Sequence, residues 1–398
     1  QMRHGRNLRR GAHGALQYVI SRLDGRHGVP PVEADTPCEC VTLGDGAFWI
    51  LRPPREDESG FAFGIVDESG KLNLNAATVD ALTQLPNMTS DVAGAIQDWR
   101  DADSTVSDNG AESEAYLLLD SPYTCKDAPF ESVEELFLVK GVTTALMFGQ
   151  DLNRNGVIDA SETDASTAGL ADLGSGGVDR GIWHWVTVYS AEPNTTSTGT
   201  PRVNVNEGNE IGNALRQGLS QERANEVMGM IRRGRPYRNM IDFYLRSGLS
   251  SSEFSAVADQ LTARRDPVLS GMVNMATAPR EVLRCLPGLD DSDAAALITK
   301  RAATGTDLTN LARVADALSP EKAVAVGDVA TCRSYQYSAD ILAVSGDGRA
   351  FKRYRAVIDT RSTPPKVVYW KDMTGLGWPL SSELRASLRQ GALREGTI

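Results

Sequence analysis

The feature that most limits the fold is a pattern that occupies residues 70–99 and returns at residues 271–301. In each copy, a short alternating segment predicts a strand, and two apolar-periodic segments on either side of a Leu-Pro turn predict two helices. Proline lacks the N–H that a helix interior needs, and the Asn or Gly after it tolerates a left-handed turn. The pattern therefore predicts a helix-hairpin-helix unit, in which Asn75 is expected to cap the first helix.

The repeated units lie between segments of another kind. A third, weaker copy begins at residues 202–206, and each copy precedes a second helical segment, at residues 130–142, 235–249 and 307–318. Repetition at this spacing indicates duplicated supersecondary units within one chain. Strand-like segments occur both before and after the helical regions, so we predict one sheet assembled from distant parts of the chain.

The N-terminal segment carries apolar side chains at three- and four-residue steps over residues 1–24, which predicts one amphipathic helix. A chain of 398 residues exceeds the size of one usual core. The predicted class is α+β, with the N-terminal helix on an antiparallel sheet and large helical insertions. The predicted divisions are 1–74 for the helix and first strands, 75–181 for helical domain 1, 182–206 for strands returning to the sheet, 207–328 for helical domain 2, and 329–398 for the C-terminal strands and tail.

Composition excludes some classes of function. The formal net charge is −11, so the chain as a whole repels polyanions such as nucleic acids. No window approaches the roughly 20 apolar residues of a membrane span. The sequence starts at Gln1 rather than Met, and we expect that an upstream segment has been removed. Five cysteines form no C-x-x-C pair, and the sequence leaves their pairing open.

Residues 151–162 carry the sharpest chemical signal. They match the calcium-loop pattern D-x-[DN]-x-[DN]-G-x5-E at every specified position. Calcium takes six to eight oxygen ligands, including carboxylates, amides and a backbone carbonyl. Because residues 163–181 lack helical periodicity, we expect a structural Ca²⁺ site rather than a sensor that opens; a solvated Asn-Gly turn with chance acids is the alternative. The expected ligands are Asp151, Asn153, Asn155, the Val157 carbonyl, Asp159 and Glu162.

A second acidic cluster lies in the loop of the first repeat. It could hold another ion, or its members could be capping acids on an exposed loop, and the sequence leaves both open. Its members are Asp98, Asp101, Asp103, Asp108, Glu112 and Glu114.

Catalytic motifs are missing from the sequence. The four histidines do not form H-E-x-x-H, and neither a G-x-S-x-G elbow nor a complete phosphate loop occurs. We therefore predict no catalytic residues, no enzyme activity and no small-molecule substrate. The hairpin turns lack the second glycine that lets backbone amides approach a DNA phosphate, and they carry aspartates such as Asp91 and Asp290 instead. No nucleic-acid partner is expected.

Residues 65–150 resemble the minor pseudopilin K family of the bacterial type II secretion system, also called general secretion pathway protein K. The order and approximate spacing of several short motifs carry the resemblance, and the later repeats and C-terminal strands match more loosely. The motifs are DESGKLNLN at 67–75, IQDWRDAD at 96–103, GAE at 110–112, Tyr116, Pro122-Tyr123, FESVEEL at 130–136 and VKGV at 139–142.

This resemblance implies a pilin-like helix and sheet with helical insertions that contain helix-hairpin-helix (SAM-like) repeats. It implies a non-enzymatic subunit that initiates or caps the pseudopilus at its tip, with the other minor pseudopilins as partners and with structural calcium. It also implies a periplasmic location, anchored in the inner membrane by an N-terminal helix that this sequence does not contain.

Two alternatives remain. The LNLNAAT and LPG stretches also resemble exported helix-hairpin-helix proteins that bind DNA during DNA uptake, for which a strongly salt-sensitive DNA complex would be diagnostic. A calcium-stabilised surface scaffold unrelated to secretion is the third hypothesis.

Overall fold

The structure is a computed structural model, and it describes residues 2–56, 58–158, 162, 179–208, 210–304 and 310–395. The helices are α1 (Met2–Leu23), α2 (Val79–Thr83), α3 (Ser90–Arg100), α4 (Ser113–Leu117), α5 (Thr144–Phe148), α6 (Ile211–Arg216), α7 (Gln221–Gly234), α8 (Met240–Ser247), α9 (Ser251–Val257), α10 (Arg280–Leu283), α11 (Asp291–Thr304), α12 (Ala312–Ala315), α13 (Pro320–Val326), α14 (Ser382–Gln390) and α15 (Ala392–Glu395). The strands are β1 (Val41–Leu43), β2 (Gly46–Arg52), β3 (Ala62–Phe63), β4 (Val66–Asp67), β5 (Leu72–Asn73), β6 (Val186–Thr187), β7 (Ala191–Pro193), β8 (Val203–Asn204), β9 (Leu261–Thr262), β10 (Val268–Ser270), β11 (Val273–Asn274), β12 (Ala330–Thr331), β13 (Gln336–Val344), β14 (Phe351–Asp359) and β15 (Lys366–Asp372).

The main sheet joins the two ends of the chain. Its strand order is β1-β2-β13-β14-β15, with β3 beside β2 and β4 beside β13, and all of these pairs are antiparallel. Ile341 of β13 lies opposite Ile50 on one side and Tyr354 on the other. The prediction of a mixed fold, with helices and an antiparallel sheet built from distant segments, is confirmed.

Both faces of the sheet are covered, which explains why β13 is buried at all nine positions. On one face, the apolar stripe of α1, including Leu16 and Val19, packs against Ile50 and Ile341. On the other face, Trp49 and neighbouring side chains pack against residues of the C-terminal tail, among them the fully buried Leu388 of α14. The tail helix α14 is therefore packed against the sheet through this side chain.

Three pairs of short parallel strands repeat one arrangement outside the main sheet. β5 pairs with β6, β8 with β9, and β11 with β12. In each pair, the first strand ends in an asparagine whose Oδ1 accepts a hydrogen bond from the backbone N–H two residues later, at 2.8 to 3.0 Å. The second strand ends in a threonine. The asparagines are Asn73, Asn204 and Asn274, and the threonines are Thr187, Thr262 and Thr331.

The prediction for residues 182–206 differs from the structure. We expected these strands to return to the main sheet, but β6 and β8 belong to the parallel pairs and β7 pairs with β10. The backbone N–H groups of Leu72 and Leu74 donate to the carbonyls of Trp185 and Thr187, both at 2.8 Å, so the hydrogen-bonding edge of β6 is used within the first repeat. The remaining predicted domain boundaries stay predictions.

Asn75 does not cap a helix. Helix α2 begins at Val79 and is capped by Thr78, whose Oγ1 accepts from Ala81 N at 3.2 Å. The Asn75 amide instead bonds both backbone groups of Phe130, accepting from N at 2.7 Å and donating to O at 2.9 Å. An amide can do this because it carries a donor and an acceptor together, and Asn75 therefore joins the start of the repeat to its second helical segment.

The helices of the repeats lie where the pattern placed them. α2 and α3 flank the turn at residues 85–89, and α10 and α11 flank the turn at residues 286–290. Their assignment to the helix-hairpin-helix class stays a prediction. None of the helices in the described ranges combines the length and hydropathy that a membrane span requires.

Candidate metal centres

The loop that begins at Asp151 folds back around the carboxylate of that residue. Asp151 is 1% exposed; its Oδ1 accepts from Asn155 N at 2.9 Å and its Oδ2 accepts from Gly156 N at 2.8 Å. Gly156 has a φ of +84°, and a Cβ there would lie 2.6 Å from the Cα of Pro53. Glycine is required at this position both by the positive φ angle and by the close approach of the segment that contains Pro53.

Glu162 closes the same loop. It is buried, and its Oε1 accepts from Asn153 N at 2.9 Å. Asn155 is also buried; its Oδ1 accepts from Val157 N at 2.7 Å, and its Nδ2 donates to the carbonyl of Pro379 at 2.8 Å. The structure therefore brings five of the six predicted ligand residues together in one loop, while Asp159 lies outside the described residues.

Two residues from distant parts of the chain hold this loop, and the sequence analysis did not identify either. His184 Nε2 lies 2.9 Å from Asp151 Oδ2, and burial lowers the pKa of this histidine. Arg353 is fully buried and donates to the carbonyls of Asn153 and Arg154, at 2.6 and 2.8 Å. No local spacing signals these contacts, because β14 and the segment before β6 reach the loop only through the tertiary fold.

The oxygen atoms that the loop offers as ligands suit a hard cation. Two buried carboxylates and an amide carry oxygens of the kind that Ca²⁺ prefers, and hydrogen bonds from the loop backbone orient them. A bound divalent ion would compensate the charge of two carboxylates that are both buried in this loop. Calcium binding by these residues stays a prediction.

A second group of metal-ligand atoms lies in helical domain 1. Atoms of Glu112, Cys125 and Asp127 all lie within 4.8 Å of one another. Glu112 is 4% exposed, and neither of its carboxylate oxygens has a hydrogen-bond partner among the described residues. Burial, followed by the charges of Asp127 and Asp98, raises the pKa of Glu112.

The predicted acidic cluster divides into two parts in the structure. Asp98 is fully buried and accepts from Ser107 N at 3.2 Å, and the charges of Asp98 and Asp101 act on Glu112. Asp103, Asp108 and Glu114 are exposed. Sequence reasoning missed Cys125 and Asp127, which come from the following segment and carry no spacing signal. Burial raises the pKa of the Cys125 thiol to about 12, which opposes its ionisation to the thiolate that binds metals.

Comparison with known proteins finds a family model that matches one part of the chain. Residues 65–148, which contain α2 to α5 and the second acidic group, match the family model described as "Type II secretion system (T2SS), protein K". No curated protein matches the chain. Among solved structures, the chain is similar to a chain of the crystal structure of the GspK-GspI-GspJ complex from the enterotoxigenic Escherichia coli type 2 secretion system. The identity is 12%, the TM-score is 0.41, and the match covers 93% of this chain and 98% of that chain.

Proposed function

We propose, from the premise that residues 65–148 belong to the protein K family of the type II secretion system, that this chain is a minor pseudopilin. The observation that carries the proposal is the family match, which covers all of the short motifs that first pointed to the family. The long helix α1 packed on an antiparallel sheet supports the pilin-like part of the proposal. The helix pairs around residues 85–89 and 286–290 are its proposed helix-hairpin-helix repeats.

In this role the protein has no catalytic task. It sits at the tip of the periplasmic pseudopilus, where it initiates or caps the filament, and an N-terminal helix outside this sequence anchors it in the inner membrane. Its proposed partners are the other minor pseudopilins, bound through protein surfaces and not through nucleic acid.

A genetic experiment tests the role. Deletion of the gene is expected to abolish export of a type II substrate while proteins that leave by other routes are still exported, and the anchored full-length protein is expected to restore export. The purified soluble chain, mixed with the soluble parts of the other minor pseudopilins from the same cell, is expected to elute with them as one complex of defined mass. Normal export in the deletion strain would overturn the proposal.

We further propose that Ca²⁺ stabilises the fold at the loop of residues 151–162. The residues that would hold it are Asp151, Asn153, Asn155, Val157, Asp159 and Glu162. When bound, the ion supplies a positive charge that the loop oxygens share. Ligand linkage then stabilises the native chain by about 2.7 kcal/mol when the free ion is at one hundred times its dissociation constant.

The group around Glu112 supports a second cation. An acid buried with two unpartnered oxygens, and with other carboxylates beside it, is stabilised by a bound positive charge. Carboxylate ligands favour a hard ion such as Ca²⁺, whereas the protonated thiol of Cys125 would have to ionise to hold a softer ion such as Zn²⁺.

Calorimetric titration and thermal unfolding test both sites. We expect two Ca²⁺ per chain and a rise in melting temperature on adding Ca²⁺ after treatment with a chelator. Glu162→Gln and Glu112→Gln are each expected to remove one ion, while Glu39→Gln, at an exposed position, retains both. If the chelator leaves the melting temperature unchanged, or if Glu162→Gln retains both ions, the assignment of the loop is wrong.

A further inference from the structure

A cavity of about 240 Å³ lies where the main sheet meets the helical units. One part of its wall is apolar and unusually rich in proline rings, which come from three separate segments of the chain. These rings do not offer hydrogen-bond donors, so this part of the wall suits an apolar group of similar size. The apolar wall includes Pro30, Pro31, Pro53, Pro54, Pro279 and Ile65.

Three side chains of the cavity wall carry a buried atom without a hydrogen-bond partner among the described residues; one of these atoms, Arg52 Nε, lies 3.0 Å from Glu33 Oε1 in an ion pair, and the other two have no such neighbour. Arg180 makes no side-chain hydrogen bond there, and its Nε atom is buried. The hydroxyl of Thr36, a residue that is 4% exposed, is likewise buried without a partner. Buried polar groups in native proteins are satisfied by protein, water or ligand, so both groups indicate an occupant of the cavity.

The other cations of the cavity wall are already engaged. Arg52 bonds Glu58 at 2.6 and 2.7 Å, Arg55 bonds Glu33 at 2.6 Å, and Lys71 bonds Glu68 at 2.5 Å. The guanidinium of Arg180 instead forms no ion pair or hydrogen bond with the described residues, and the nearby carboxylates of Asp151 and Glu281 act on it only through longer-range electrostatics. Arg180 is therefore the cation in this wall whose donors are available to a ligand.

The backbone at Arg180 is held in place by the residue before it. The Asp179 carboxylate accepts from Gly181 N at 2.8 Å and from Asn87 Nδ2 at 2.9 Å, and the Asp179 carbonyl accepts from Gln150 N at 2.8 Å. These bonds tie the segment to the turn of the first repeat and to the end of α5. A guanidinium on a fixed backbone loses less entropy when it binds a ligand.

We propose that this cavity binds a small monocarboxylate with an apolar body of ring size, and that Arg180 and Thr36 hold the carboxylate. A guanidinium presents a planar set of donors that matches the two oxygens of a carboxylate, and a hydroxyl adds a third donor. The proposal is independent of the role in secretion.

Three probes test the proposal by calorimetric titration of the calcium-loaded protein. N-acetyl-L-phenylalanine carries the carboxylate, N-acetyl-L-phenylalaninamide lacks it, and N-acetyl-Gly-Gly-Phe presents the same group as a peptide C-terminus. We expect saturable binding of the first probe and binding of the amide that is at least about tenfold weaker, as expected for loss of hydrogen bonds to a charged group. Equal binding of the longer peptide would identify a peptide C-terminus as the source of the carboxylate, and its exclusion would identify a free acid.

Variants locate the binding. Arg180→Gln is expected to weaken the binding of N-acetyl-L-phenylalanine by at least about tenfold, and Thr36→Val is expected to weaken it by a smaller factor. Arg349→Gln, on an exposed turn, is expected to bind the probe with the affinity of the unmodified chain. The comparison of acid and amide on the unmodified chain needs no variant to fold. The proposal is overturned if the first probe does not bind, if acid and amide bind equally, or if a folded Arg180→Gln protein retains full affinity.

Discussion

Arg353 connects the main sheet to the loop of residues 151–162, and its replacement by methionine tests how much that connection stabilises the fold. Its guanidinium donates to Asp340 Oδ1 at 2.9 Å and Oδ2 at 2.5 Å, as well as to the two loop carbonyls. Arg353 is fully buried and Asp340 is 9% exposed. Removing one partner of a buried ion pair typically costs 3–5 kcal/mol, because the other charge stays buried without its counter-charge; we therefore expect Arg353→Met to lower the free energy of unfolding by about 3–5 kcal/mol.

Denaturant unfolding in the presence of Ca²⁺ measures this cost. The double variant Arg353→Met/Asp340→Asn is expected to be more stable than Arg353→Met alone, because it leaves no uncompensated charge. Arg349→Gln on the exposed hairpin turn is the matched control and is expected to change stability by less than about 0.5 kcal/mol. A loss below about 1 kcal/mol for Arg353→Met, or no recovery in the double variant, would refute the argument that a buried charge pair holds the loop.

Two further predictions concern acid stability and the repeats. The hydrogen bond from Arg52 is the main reason that the pKa of Glu58 is lowered to about 2 from 4.5, so this pair stabilises the fold above pH 4.5 and loses its contribution as the pH falls towards 2. Glu58→Gln is therefore expected to flatten the loss of stability across that range in pH-dependent unfolding, and an unchanged pH profile would contradict the assignment. Asn75→Ala removes two hydrogen bonds to the Phe130 backbone and is expected to cost about 1–3 kcal/mol in denaturant unfolding. Asn206→Ala, which loses the equivalent bonds to Tyr237, should cost a similar amount, and a negligible loss in both variants would show that these amides are not structural clamps.

Local sequence patterns predicted the helices and strands of this fold better than they predicted the residues with which those elements interact. The alternation at Leu72 and Asn73 predicted a strand, and the structure has one there. The same sequence did not predict that Asn75 would bond Phe130, because the amide of an asparagine serves equally well as a cap or as a clamp. Whether the amide caps a helix or bonds a distant backbone depends on a segment that only the tertiary fold brings close.

The same limit applies to the candidate metal centres. The spacing of residues 151–162 predicted that oxygen-bearing side chains would lie close to Asp151, because the residue spacing within a short loop determines which side chains can approach one another. Arg353 and His184 reach that loop from distant strands and segments, and nothing near them in sequence indicates it. In the second group, Glu112 was part of the predicted acidic cluster. The sequence pattern did not predict that the following segment would bring Asp127 next to Glu112.

The joining of β2 to β13 has a consequence for the order in which the chain can fold. Ile50 pairs with Ile341, so the strand at the centre of the sheet is made only after all the repeated units have left the ribosome. Each parallel strand pair joins residues that are much closer in sequence, as when Val203 pairs with Leu261. Contacts between near residues close faster than contacts between distant ones, so the helical units can form while α1 and β2 still lack their main partner. A growing chain would then carry an exposed apolar helix and strand until its last segment arrives, and the assembly of the sheet would be its final step.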